Sequence, residues 1–163
     1  MAPQRELQRL AVRLGQHLLA TRRRVVTAES CTGGWIAKTI TDIPGSSQWF
    51  DTAFVAYSNA AKMRELGVRK ATLVRHGAVS EEVAREMAQG ALRASDAELA
   101  VAVTGIAGPD GGTPAKPVGT VWLCWGARRG RRVSLRTRKV RFAGDRRAVR
   151  AQSVALALRG LLR

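Results

Sequence analysis

The sequence is poor in the groups from which most metal and cofactor sites are built. It has two cysteines and two histidines. Cys31 and Cys124 lack zinc-type spacing and have no paired histidines nearby, and His17 and His76 have no obvious metal partners. Neither a metal nor a cofactor is expected, and the cysteines should stay free thiols in a reducing compartment. Long apolar runs are missing too. No stretch of about 18 uncharged apolar residues occurs, which excludes a transmembrane helix and any membrane partner of that kind. The opening Met1-Ala2-Pro3-Gln4-Arg5-Glu6 lacks the basic-then-apolar pattern of an export signal, so the cytoplasm is the expected compartment. There are no internal repeats, low-complexity tracts or linkers. At 163 residues one domain spanning 1–163 is expected, large enough to bury a core without staples.

Acidic residues are also scarce. Twelve acids face 28 bases, for a net charge of +16. Lysine is rare within that excess: Lys38, Lys62, Lys70, Lys116 and Lys139 are the only five, and the other 23 bases are arginines. Eleven bases fall between Arg128 and Arg150 against one acid, Asp145. Such a stretch fits a patch for nucleic acid or another polyanion. An alternative reading of the chain is therefore a non-catalytic nucleotide- or nucleic-acid-binding protein that uses its basic surface. The stretch lacks the interleaved aromatics of a single-strand binder, and a solvated arginine-rich surface accounts for the charge equally well. Nucleic acid is the less favoured partner.

What is present is an alternation of helical and strand signals. Leu7, Leu10, Ala11, Leu14 and Leu18 follow helical spacing and predict a helix over 3–20. Val25 to Ala28 is a β-prone run, Gly33-Gly34 a tight turn, and Trp35 to Ile40 a helix: a strand–turn–helix unit. Pro44-Gly45-Ser46-Ser47 reads as a turn, Phe50 to Tyr57 as a strand, and Ala60 to Leu66 as a helix capped by Ser58 or Asn59 and closed by Gly67. His76 lies among turn-like residues. Ser80-Glu81-Glu82 opens another helix. Leu99 to Val103 is apolar at both parities, as in a strand buried on both faces. Gly105 to Pro114 is a glycine-rich loop. Val118–Trp125 and Val133–Phe142 read as strands joined by a turn over Gly126–Gly130. Gly144-Asp145 starts a last helix. The sum is a three-layer α/β/α sandwich on a mixed, largely parallel sheet with a C-terminal hairpin.

Three places carry chemistry. Ser30 ends a strand before two glycines and a helix start, where open α/β sheets put their ligands. Unpaired N–H groups near Gly33 and Gly34 suit a developing oxyanion. Alternatively, Ser30 or Thr32 is simply a helix cap. A serine nucleophile needs a base, and the histidines offer no triad. Lys62 can serve if burial keeps part of it neutral, with Tyr57 relaying a proton. Otherwise Lys62 is a solvated helix lysine and Tyr57 a packing residue. The Gly105–Gly112 loop can cradle a phosphate or carboxylate, or merely connect. Arg146 is either a phosphate clamp at a helix start or one surface arginine among many. Cys31 is a rival nucleophile, expected to pack inward because neighbours in extended chain point to opposite sides.

These stretches together carry a resemblance. Thr27-Ala28-Glu29-Ser30-Cys31-Thr32-Gly33-Gly34 resembles the signature of the CinA C-terminal domain family. Pro44–Ser47, Tyr57-Ser58-Asn59 with Lys62, His76–Ser80, Thr104–Gly112 and Lys116–Val121 follow in the family's order over nearly the whole chain. The family often has phenylalanine or serine and then Gly-Asp-Arg before the last helix. Phe142-Ala143-Gly144-Asp145-Arg146 keeps the arginine and has alanine before the glycine. The resemblance implies a single CinA C-terminal-type amidase domain, homodimeric and metal-free. It implies hydrolysis of nicotinamide mononucleotide to nicotinate mononucleotide and ammonia, in pyridine-nucleotide salvage. It also implies Ser30 as nucleophile with Lys62 and Tyr57 as activating pair. Its substrate-binding positions would be Thr32, Gly33, Gly34, Ser46, Asn59, Thr104, Gly105, Gly108, Gly112 and Arg146. Larger members carry a further N-terminal domain acting on another nucleotide, and that activity is not expected of these 163 residues.

Overall fold

The leucine stripe of the first helix is buried along its length, from Leu7 to Leu18. It forms one face of α1 (Ala2–Thr21). The structure is a computed structural model that describes the backbone of residues 2–163 and the side chains of 4–163. The elements that follow are β1 (Val25–Glu29), α2 (Trp35–Thr41), a 3-10 turn (Ser46–Gln48), β2 (Phe50–Val55), α3 (Asn59–Leu66) and α4 (Lys70–His76). Then come α5 (Glu81–Arg93), β3 (Leu99–Gly105), β4 (Thr120–Arg129), β5 (Arg132–Arg141) and α6 (Arg146–Leu161).

The strands form one sheet in the order β2-β1-β3-β4-β5. β1 pairs in parallel with β2 and β3, while β3–β4 and β4–β5 are antiparallel. The sheet is thus mixed, with parallel and antiparallel pairings in equal number rather than mostly parallel. Strand periodicity separates its two faces. Val25, Val101, Val103, Leu123 and Trp125 join the side chains of α1, α2 and α6 in one core. Val26, Ala28, Ala100, Ala102 and Cys124 join those of α3, α4 and α5 in the other. β1 and β3 are therefore buried on both sides, as the run of β3, apolar at both parities, requires.

Three local expectations change. Helix α4 carries no strong periodic signal and buries only Thr72 and Leu73. Its start is held from another element: Glu86 on α5 accepts from the Arg69 N–H (2.8 Å) and the Thr72 hydroxyl (2.7 Å). A cap supplied across the fold leaves no trace in the local sequence. The hairpin turn is only Gly130-Arg131, between the paired Arg129 and Arg132. Gly126 lies inside β4, where a Cβ would come within 3.0 Å of Leu92, so this glycine admits α5 rather than a turn. Strand β2 stops at Val55 and Tyr57 lies beyond it.

Gly90 lets α5 press on α3. A Cβ there would meet the Leu66 carbonyl oxygen at 1.9 Å. Gly90→Ala should destabilise the fold by about 3 kcal/mol, at the upper end of overpacking costs, and displace the helix that carries Lys62. Chemical denaturation checks the first effect and turnover the second.

Two arginines of the basic stretch fasten the fold from within. Arg128 donates to the carbonyls of Leu92 in the last turn of α5 and of Ser95 and Ala97 just past it (2.9, 3.0 and 2.6 Å). Arg136 lies 4.3 Å from the Trp125 ring centroid and donates to the Gly160 carbonyl at 2.9 Å. Cations on the last carbonyls of a helix satisfy acceptors that the helix leaves open. Most other bases of the stretch are exposed, and Arg128 is half-buried.

Candidate active site

The parallel strands β1 and β3 deliver their carboxyl ends to one edge of the sheet. From β2 and β1 the chain leaves toward opposite faces, to α3 and α2 respectively. A crevice at that edge, where connections diverge, is where open α/β sheets bind ligands. Ser30 stands there, its N–H on the Val103 carbonyl at 3.0 Å.

Lys62 reaches the same point from α3 and is only 1% exposed. Its Nζ lies 2.9 Å from Ser30 Oγ, 3.1 Å from the Ala56 carbonyl and 3.1 Å from the Tyr57 carbonyl. Burial pushes its pKa below the ordinary lysine range, because a low-dielectric site penalises the ammonium. The three contacts match the three donors of an ammonium, and a neutral amine fits the same partners. Once deprotonated, the amine keeps two N–H bonds to the two carbonyls and turns its lone pair to the Ser30 hydroxyl.

Glu29 organises the turn between the two glycines and the strand. It is fully buried. One carboxylate oxygen accepts from Thr32 Oγ1 (2.6 Å) and from the N–H groups of Gly34 (3.1 Å) and Ile36 (3.0 Å). The other accepts from the Ala37 N–H (2.9 Å). A carboxylate thus caps α2, since its N-terminal residue has no side-chain cap of its own. Glu29→Gln puts a donor amide among these donors and should cost about 2–3 kcal/mol, the scale for an unsatisfied buried group. Denaturant unfolding of the variant measures it.

This cap corrects one expectation. The Gly34 N–H is taken by Glu29 and the Gly33 N–H by the Ser30 carbonyl at 3.0 Å. Neither is open to an oxyanion. Thr32 is likewise bound to Glu29 and fully buried. Cys31 packs inward as expected, at 6% exposure within the α1–α2–α6 core. Burial pushes its thiol pKa up to about 12, which keeps it protonated and a poor nucleophile.

The Tyr57 side chain is turned outward and 59% exposed. Its hydroxyl accepts from Arg146 Nη2 at 2.8 Å. Among the described contacts it bonds neither Ser30 nor Lys62, and Tyr57 touches Lys62 through its carbonyl instead. Arg146 also donates to the Gly108 carbonyl at 2.7 Å, tying the glycine-rich loop to α6. A cavity of about 210 Å³ opens over the pair. Ser30, Tyr57, Asn59, Lys62, Thr104, Gly105 and Arg146 line it, with Cys31, Ala78, Val79 and Ala107. Wider clefts of about 660 and 850 Å³ flank α6, and neither is lined by Ser30 or Lys62.

Several expected positions are elsewhere. Ser46 sits in the 3-10 turn before β2, at the opposite, amino-terminal edge of β1 and β2. Gly112 serves loop packing, since a Cβ there would meet the Val118 nitrogen at 2.8 Å. Gly108 contributes its carbonyl to Arg146 rather than a lining surface. Two site-shaping residues were missed. Glu29 had a signal, an acid wedged between an apolar strand and a glycine turn. Arg150, which holds the carbonyls of Cys31 (3.1 Å) and Thr32 (2.9 Å), had only its place one helical turn after Arg146.

A buried serine–lysine pair at the carboxyl edge of a three-layer α/β sheet defines a class: an α/β protein with a serine hydroxyl and a lysine amine in contact at its ligand-binding edge. Comparison with known proteins narrows the class. The chain belongs to the CinA C-terminal domain family, whose model matches residues 7–163. It is 56% identical over 156 residues to the nicotinamide-nucleotide amidohydrolase PncC of Escherichia coli K12, covering 96% of this chain and 93% of that protein. It is 58% identical over 153 residues to the PncC of Pseudomonas putida, covering 94% and 93%. The crystal structure of the competence/damage inducible protein CihA from Agrobacterium tumefaciens superposes with a TM-score of 0.91 at 44% identity, covering 96% of this chain and 93% of that one.

Proposed function

We propose that this protein is a nicotinamide-nucleotide amidohydrolase that converts nicotinamide mononucleotide to nicotinate mononucleotide and ammonia through Ser30. The observation that carries the reading is the 2.9 Å contact between Ser30 Oγ and the buried Lys62 amine. The relatives named for this activity match nearly the full length of the chain, which supports the choice of substrate.

Neutral Lys62 takes the Ser30 proton as Oγ bonds to the carboxamide carbon. The carbonyl oxygen becomes an oxyanion. As that intermediate collapses, the C–N bond breaks, Lys62 returns the proton to the nitrogen, and ammonia leaves. Water then gives a proton to Lys62 and attacks the acyl ester; the ester C–O bond breaks, Lys62 passes that proton to Ser30 Oγ, and the carboxylic acid leaves. A general acid–base lysine works best when its pKa is near the operating pH, and the burial of Lys62 moves it that way. The nicotinamide ring would occupy the cavity over Ser30. Asn59 and Thr104 would line its walls, and the nucleotide phosphate would lie toward Arg146 at the mouth. No step calls for a metal or a cofactor.

The test is to incubate the purified protein with nicotinamide mononucleotide and to follow nicotinate mononucleotide by chromatography and ammonia by a coupled assay. Equimolar release of both is the expected result. A folded protein that releases neither would remove this substrate.

A further inference from the structure

The reaction above needs a donor for the oxyanion, and the two glycine N–H groups at the helix start are already engaged. The turn itself supplies another. The Gly33 N–H donates to the Ser30 carbonyl, which puts Cys31 and Thr32 at the centre of a four-residue turn. In such turns the N–H of the third residue lies on the side of the first residue's side chain, the geometry that serine and aspartate turns use. The third residue here is Thr32, and its N–H has no acceptor among the described residues.

What holds that N–H in direction comes from the far side of the sheet. Arg150 on α6 places Nε on the Cys31 carbonyl at 3.1 Å and Nη2 on the Thr32 carbonyl at 2.9 Å. Its guanidinium lies 5.3 Å from the Trp35 ring centroid, which supports it as a cation over an aromatic face. A trans peptide is planar, so its N–H points opposite to its carbonyl. A Cys31 carbonyl drawn toward α6 therefore turns the Thr32 N–H away from α6. Lys62 comes from α3, which packs on the other face of the sheet. The amide is thus directed to the side on which Ser30 Oγ and Lys62 meet.

We infer that Arg150 is a positioning residue for catalysis, clamping two successive carbonyls so that the Thr32 N–H stands as an oxyanion donor beside Ser30. This rests on the serine-amidase reading. The planar fork matters more than the charge, because an ammonium cannot span two carbonyls in one fixed plane. The Glu29 carboxylate holds the same turn at its other end, on Thr32 Oγ1 and the Gly34 N–H. Between these two clamps the Cys31 and Thr32 peptides have little freedom to rotate.

The experiment compares wild type with Arg150→Lys and Arg150→Ala. On nicotinamide mononucleotide, Arg150→Lys should lose about 10²-fold in kcat, the scale of one oxyanion donor, with KM within about two-fold and the pH profile unmoved. Guanidinium added to Arg150→Ala should restore part of kcat, and methylammonium should not. A merely structural arginine would lower the melting temperature without this rescue. A kcat within about two-fold of wild type in Arg150→Lys, or a loss confined to KM, would overturn the inference. Labelling of Ser30 by a fluorophosphonate, whose phosphoryl oxygen needs the same donor, is read in parallel. Wild type that labels but leaves the nucleotide intact removes the substrate reading alone, and the ratio of labelling rates then decides on Arg150. Equal labelling rates count against it, and wild type that neither labels nor turns over removes both.

Discussion

Ser30→Ala is expected to lower kcat on nicotinamide mononucleotide by about 10⁴-fold or more, the scale seen when a catalytic nucleophile is deleted, while substrate binding changes little. The variant removes one oxygen from a side chain that is 8% exposed. It leaves Glu29, Arg150 and the strand pairing in place, so the melting temperature should hold. The Lys62 amine keeps both its carbonyl partners. Steady-state kinetics with isothermal titration on the same preparation separates the two effects. The neighbouring thiol offers no substitute, since burial keeps Cys31 protonated.

Lys62→Met carries the second large effect. Turnover should fall by at least about 10³-fold, within the range attributed to a positioned general base together with nucleophile activation. Wild-type kcat/KM should rise with pH through the lowered Lys62 pKa, because only the neutral amine accepts the serine proton. Stability gives an independent readout of the same group. The folded-state pKa lies below the unfolded value. Between those two values the unfolded chain therefore binds more protons than the folded one, and stability must increase with pH across that window. Below the folded pKa the penalty for burying the ammonium is present in full. In Lys62→Met this contribution to the slope should vanish. Urea titrations at stepped pH on both proteins measure it, and a parallel pH dependence in the two would mean that Lys62 does not titrate as described.

The parts of this fold that were readable before the structure are those written in local pattern. The two-faced apolarity of β3 marked a central strand, and the α1 stripe marked an amphipathic helix. Ser58, Ser80 and Asp145 marked helix starts that all three cap. What escaped was set by residues distant in sequence. Helix α4 begins where Glu86 of α5 meets it, and Gly126 is in a strand because Leu92 needs the space. The same division runs through the site. Ser30 and Lys62 were legible as a strand-end serine and a helix lysine. Their 2.9 Å contact depends on how α3 packs, which Gly90 permits. The oxyanion donors were misassigned because a helix start after two glycines looks open. Only the structure shows the Glu29 carboxylate folded back into it. Arg150 was one arginine among 23 until its two carbonyl partners, more than a hundred residues away, came into view.

Hydroxylamine trapping tests most directly the claim that Ser30 forms an acyl-enzyme. With nicotinamide mononucleotide as substrate and rising hydroxylamine, the account predicts that the hydroxamate of nicotinate mononucleotide appears at the expense of the free acid, with ammonia release no slower than in its absence. Acid formed at its full rate with no hydroxamate would mean that water attacks the amide directly, and Ser30 would then not be the nucleophile.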